Sequence, residues 1–415
     1  MRNIFKNNYI EPVYVSFFLI SFSIIPFWYH GIEKTRYILL FLFAIILYKN
    51  SKIISYLIKN TFTYLLLAFS FFVFISLQTN NISLTNLDEV LNWAITFYLT
   101  ITASIILKDK EKYILYSLII SVFLFFIISN LLFFLNIAEE NQNSHIYFQN
   151  LFDFNYLHLA LVFGATSIIN IVFLTQSKSY GLKFFHFLAF LASAFMLIKT
   201  TSRGVIGGCA LSASIYYFYH AKLNSKHILI FILIAFSFSI ILFKTPQGIR
   251  TKNEIIQTFT ATEKDKSLRM RFFLWYASFK SFLDKPFSGN GFENFRNTYE
   301  KQYHIYKNNK KLQKKFPLVK SSDKNAHNFF LHFLLETGIF GTLAITLFFC
   351  SIIFYGFNRF SMTSIASALA LITSLVHYQV NMDLYSPLPS TLTFTLCGVI
   401  AGSHIKKQLQ IPQTL

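Results

Sequence analysis

Residues 327–356 read HNFFLHFLLETGIFGTLAITLFFCSIIFYG, a block holding one acidic residue, Glu336, and no lysine or arginine. A helix needs about 20 mostly apolar residues to cross the hydrocarbon core of a bilayer. This block is long enough to do so, and it opens on two polar residues, His327 and Asn328. Working outward, similar blocks occur at 12–29, 36–48, 61–77, 90–107, 113–135, 156–174, 182–199, 204–219 and 227–243, then at 328–355, 363–380 and 387–402. The pattern predicts an all-α polytopic membrane protein with about 12 transmembrane helices. Composition agrees, with 54% of the 415 residues apolar and only 13% charged. A soluble domain carries about 25% charged residues, and the apolar runs do not alternate with period two. A soluble enzyme, a disordered chain and a porin-like β-barrel are excluded. The N-terminal Arg2 and Lys6 resemble the charged start of a signal peptide, but no small-residue cleavage site follows, so a retained first helix is expected. The three cysteines form no CxxC pair, which offers neither a disulfide framework nor a zinc site.

The net charge of +19 divides by position. With the N-terminus cytoplasmic, the short cytoplasmic segments hold 15 Lys and Arg and the opposite short loops hold 4. That asymmetry is the positive-inside pattern and puts both termini in the cytoplasm. The other 18 basic residues lie between Lys244 and Lys324, with seven acids among them. Long loops escape the charge bias, so this one is expected on the outer, periplasmic face. The expected organisation is transmembrane helices 1–9 over residues 1–243 and a large periplasmic loop over 244–326. Helices 10–12 follow over 327–402, with a cytoplasmic tail at 403–415. Within the loop, Phe272, Trp275, Phe279 and Phe282 recur at helical spacing, which predicts an amphipathic helix over 269–285. A loop of this length is expected to be a folded functional cap and not a slack connector, with the basic, polar stretch Lys301 to Lys324 as its most mobile part.

His327 is expected to head an apolar helical stripe shared with Leu331, Leu334 or Leu335, and Gly338. Imidazole at the water boundary can accept a proton from a hydroxyl near neutral pH; an interfacial histidine with a satisfied hydrogen bond is the plain alternative. Arg203, between the seventh and eighth blocks, and Arg269 and Arg271 in the loop are suited to phosphate oxygens, because guanidinium groups bind them bidentately and keep their charge. Asp383 could orient His327, bind a sugar or cap the last span. His158, His332 and His377 sit in apolar blocks and read as packed side chains.

The spacing His327-Asn328, nine residues, Gly338, two residues, Gly341 resembles the signature of the O-antigen ligase and polymerase superfamily, and Glu336 fits it. Arg271 with Trp275, followed by Pro286, Gly289 and Gly291, resembles the arginine–tryptophan helix and Pro-x-x-Gly-x-Gly turn of the same family. Ser202-Arg203 resembles its helix-opening arginine, although Gly207 replaces a usual leucine. The resemblance covers about residues 140–402. It implies a GT-C-like glycosyltransferase in the bacterial inner membrane. The donor would be an undecaprenyl-diphosphate-linked glycan and the acceptor a lipid A–core sugar hydroxyl, with His327 as base. Arg203, Arg271 and Arg269 would hold the diphosphate. No metal, cofactor or nucleic acid is implied. A polymerase using the same donor is the nearest alternative, and a lipid-linked glycan flippase or transporter the next. A protein O-oligosaccharyltransferase is disfavoured by the short tail.

Overall fold

The structure, a computed structural model, describes residues 10–24, 29–49, 51–107, 110–134, 155–220, 266–316, 319, 325–358 and 361–410. All regular secondary structure among them is helical. The first half comprises α1 (Ile10–Ile24), α2 (Tyr29–Lys49), α3 (Ser51–Ile58), α4 (Thr61–Thr79), α5 (Asp88–Leu107) and α6 (Lys112–Phe134). Next come α7 (Tyr156–Gln176), α8 (Tyr180–Thr200) and α9 (Arg203–His220), then α10 (Lys266–Asp284), α11 (Phe295–Lys307) and α12 (Lys310–Lys315). The chain closes with α13 (Phe329–Asn358), α14 (Met362–Tyr378) and α15 (Pro387–Gln410). Seven helices are long and apolar enough to cross a membrane among the described residues, and three shorter apolar helices accompany them. The expected span at 227–243 and the loop up to residue 265 lie outside the described residues.

Asparagines start several of these helices. Asn60 caps α4 through Phe62 N (2.8 Å) and Asn155 caps α7 through Leu157 N (3.0 Å). Each side chain satisfies an amide that has no partner inside its helix. Within the helices, hydroxyls such as Thr100, Thr166 and Ser167 donate to the carbonyl four residues back, so they can be buried in an apolar bundle. α7 packs on α8, α9 and α14, α5 on α15, and α4 on α13. At the centre, Trp93 lies against Phe69, Phe292, Phe333, Tyr385 and Phe394, with ring centroids 5.3–6.4 Å apart. Outward faces carry Leu67, Phe71, Leu124, Leu191, Phe195, Leu347 and Phe354, all exposed. An apolar surface spread over so many long helices fits hydrocarbon and not water. The chain is a multi-pass helical membrane protein.

The segment that opened the sequence reading is not one continuous span. α13 breaks at Gly338, whose φ of 68° and ψ of −171° are far from helical. The turn after α10 fills the break: Asn290 N donates to Leu335 O (2.7 Å), Gly291 N to Glu336 O (3.2 Å) and Ile339 N to Pro286 O (2.9 Å). Ser76 of α4 also donates to Glu336 O, and Asn80 Nδ2 to Gly289 O at 3.1 Å. Carbonyls and amides freed by the break thus find partners in the turn. Gly289, with φ 68°, and Gly338 face each other; a Cβ on either would overlap the other strand's backbone, at Glu336 and at Phe287 respectively.

The amphipathic loop helix is present as α10. Phe273, Leu274 and Ala277 face inward and form a small second core with Phe295, Tyr299, Ala326 and Leu335. Lys301 to Lys315 is not an extended connector. It continues α11, turns at Asn308-Asn309 and forms α12, because Asn309 Oδ1 caps the amides of Lys311 and Leu312 and the tyrosine face of α11 packs inward.

Candidate active site

The site is built from the N-terminal end of α13 and the loop between α14 and α15. His327 precedes α13 instead of lying on it. Its φ is 47°, and Asn328 caps the helix by accepting from Leu331 N at 3.0 Å. The expected stripe shared by His327 and Leu331 is therefore replaced by a turn that projects the histidine ahead of the helix. His327 N is held by Asn325 Oδ1 (2.9 Å), and Asn328 Nδ2 donates to Gln379 O (3.4 Å).

The imidazole meets Asn381: His327 Nδ1 and Asn381 Oδ1 are 3.0 Å apart. Asn381 Nδ2 in turn donates to Asp383 Oδ2. Asp383 also accepts from His377 Nε2 (3.2 Å), and His158 Nε2 stands 3.9 Å from its other oxygen. Burial by itself pushes the Asp383 carboxyl up. The His377 hydrogen bond and the nearby His158, His377 and His327 imidazoles outweigh it and hold its pKa below the ordinary carboxylate value. An ionised carboxylate only accepts, so the amide of Asn381 is fixed with nitrogen toward Asp383 and oxygen toward His327. That oxygen cannot donate, so the contact calls for a proton on His327 Nδ1.

A second buried acidic side chain stands behind Asp383. Glu336, fully buried, accepts from Tyr385 OH (2.6 Å) and Phe295 N (3.2 Å), with His332 Nε2 3.4 Å away. It joins α13, the start of α11 and the same loop that carries Asn381 and Asp383. This is a tie between elements and not an exposed chemical group.

Of the residues expected from sequence, His327 and Asp383 are linked through Asn381, and Asn328 reaches the same loop at Gln379 O. Asp383 does not cap the last helix; its side chain serves Asn381 and His377. Arg203 opens α9 half-buried, beside Gly204, whose backbone lies against His377 and Val380. That places the start of α9 next to the Asp383 cluster. Arg271, half-buried, lies on α10, whose inward face packs on Ala326, the neighbour of His327. Arg269 is also on α10, with a side chain outside the described set. Gly289, Gly291, Gly338 and Gly341 belong to the turn–break contact and its packing on α4. Trp275 is half-buried with its ring against Phe272 (5.6 Å) and belongs to α10's own packing. Asn381, His377, His158 and Tyr385 were not expected. Only the short polar interval Asn381-Met382-Asp383 between two apolar blocks hinted at them.

Fold and site together define a class: a multi-pass helical membrane protein with a histidine–carboxamide–carboxylate chain at one end of its bundle, beneath a small helical cap. Residues 188–346 match the family model described as O-Antigen ligase. The matched segment runs from α8 through the cap to just beyond Gly341. It takes in Arg203, Arg271 and His327, while Asn381, Asp383 and Tyr385 follow it. No curated protein matches the chain.

Proposed function

We propose that this protein is an O-antigen ligase that moves a preassembled glycan from undecaprenyl diphosphate to a sugar hydroxyl of a lipid A–core acceptor. The work is done at the periplasmic face of the bacterial inner membrane, with both termini cytoplasmic. One observation carries the reading: His327 Nδ1 stands 3.0 Å from Asn381 Oδ1 while Asn381 Nδ2 donates to Asp383, an arrangement that favours the tautomer whose Nε2 can accept a proton. Nε2 removes the proton of the acceptor hydroxyl as its oxygen attacks the anomeric carbon. The anomeric C–O bond breaks, and its electron pair leaves with the lipid diphosphate. The proton stays on the imidazole until solvent takes it. Attack opposite the leaving group inverts the anomeric configuration. Arg203 and Arg271, with Arg269 beside them on α10, supply the counter-charge for the diphosphate; the mechanism needs no metal. Support comes from the family-model match, from the start of α9 lying beside His377, and from α10 packing on Ala326, the neighbour of His327.

A polymerase would share every step and differ only in its acceptor, a second lipid-linked glycan. The test is transfer by purified protein in nanodiscs, with the new linkage read by NMR from a donor of known anomeric configuration. Inversion and growth of the lipid A–core product are expected. Retention would contradict the single displacement, and product formed only between two donor molecules would assign the protein as a polymerase.

A further inference from the structure

The outward face of α11 and α12 presents Lys301, Lys307, Lys310, Lys311, Lys314 and Lys315, all exposed. The one acid between Phe295 and Lys315 is Glu300, and it pairs with Arg296 at 3.2 Å. The six ammonium groups are therefore concentrated on a face with no balancing acid of its own two helices.

This face is rigidly mounted. Tyr306 OH donates to Phe316 O (3.0 Å) and Gln313 Nε2 to Lys307 O (2.7 Å), which closes the hairpin. Rings of Phe295, Tyr299, Tyr303 and Tyr306 stack in sequence along α11 at 5.9–6.4 Å. Their buried end joins Ala326, Leu331 and Leu335, so the hairpin sits on the segment that carries His327. Lys307 lies over the Tyr303 ring at 5.3 Å. Cations and half-buried aromatic rings thus share one surface, which suits a ligand with both anionic groups and apolar ring faces.

A bilayer surface is the less fitting occupant. A helix lying on lipid presents its apolar face to the acyl chains with cations at the margin. Here Phe295 and Tyr299 are buried in the cap's own core, Ile305 is the one large aliphatic side chain exposed on α11 and α12, and the exposed apolar side chains Phe272, Phe279 and Leu283 belong to α10. We propose that the cationic face of α11 and α12 docks a phosphate-bearing saccharide, and that this saccharide is the acceptor. The second clause rests on the transferase reading; the first does not.

The full-length protein in phosphatidylcholine nanodiscs is titrated with a bisphosphorylated glucosamine disaccharide and with its dephosphorylated counterpart. The combined variant Lys310→Gln/Lys311→Gln/Lys314→Gln/Lys315→Gln keeps good helix formers throughout; Lys178→Gln, remote from the cap, serves as control. Binding of the bisphosphate is expected to weaken about tenfold in the combined variant, the sum of four exposed ion pairs of ordinary strength. It should also weaken with added salt, while the control stays as wild type. Equal binding of the two disaccharides, or no effect of the four substitutions, overturns the proposal. So does loss of lysine-dependent binding in phosphatidylglycerol nanodiscs, which would assign the face to lipid headgroups. In the transfer assay, the same variant should raise KM for a phosphorylated acceptor about tenfold with kcat and donor KM unchanged. An unchanged acceptor KM overturns the acceptor clause. Lysine-dependent binding in a protein that transfers nothing would sink the transferase reading alone.

Discussion

Asn381 has no chemistry of its own, yet it decides what His327 can do. Its carboxamide is oriented by Asp383 and returns that orientation to the imidazole as a favoured tautomer. Replacing Asn381 by Ala removes the constraint without touching the acceptor or the diphosphate. Steady-state kinetics should then show kcat lowered by roughly 10- to 100-fold with both KM values little changed. Loss confined to KM would mean that Asn381 binds substrate instead. The sequence made half of this visible. His327 stands in a contiguous motif, so its spacing to Gly338 and Gly341 is readable from the chain. Asn381 and His377 are supplied by a helix end some 50 residues on, and His158 by a helix far upstream. A single histidine in an apolar run looks like core packing until its neighbours across the bundle are known.

The break in α13 is the element on which the site depends. An apolar run as uniform as 329–356 shows no interruption to hydropathy, so the expected span was continuous. What ends the helix is one backbone conformation, stabilised by a turn some 50 residues earlier in the chain. Gly289 and Gly338 were legible as family glycines, but their mutual contact was not. A Gly338→Ala substitution imposes a left-handed backbone costing about 1–2 kcal/mol and adds overlap with the Phe287 carbonyl. Thermal unfolding in detergent should report a loss of at least that size. Insensitivity to the substitution would mean that the turn and the break are not locked together. Glu336 extends the same logic: through Tyr385 and Phe295 it ties the broken helix to the loop of Asn381 and to the cap.

At the scale of the molecule, contacts among the described residues group the loops as the lysine and arginine bias grouped them; which group faces outward is the expectation that labelling tests. The loops that the lysine and arginine bias assigned to the outer side meet in space: Asn80 with Gly289, Asn86 with Phe292, His158 with Asp383, and His327 with Asn381. The segments assigned to the cytoplasm meet at the other end, as in Lys406 with Glu111 at 3.1 Å. Single cysteines placed at Ser83, Asn297 and Ser386 in a chain lacking Cys209, Cys350 and Cys397 should react with an impermeant maleimide from outside. Cysteines at Lys59, Lys110 and Ser177 should react only after permeabilisation. Labelling on the opposite sides would invert the orientation. The number of spans was only partly legible, because block boundaries and the α8–α9 junction depend on caps and packing more than on hydropathy. The charge bias predicts which end of the bundle faces outward, and the histidine at that end is where the account stands or falls. The most direct measurement is glycan transfer by purified wild type and His327→Ala, with lipid-diphosphate-linked donor and lipid A–core acceptor. The account predicts product from the wild type and a loss of about 10²- to 10⁴-fold in kcat for the variant, with donor binding retained. Full turnover by His327→Ala would contradict it.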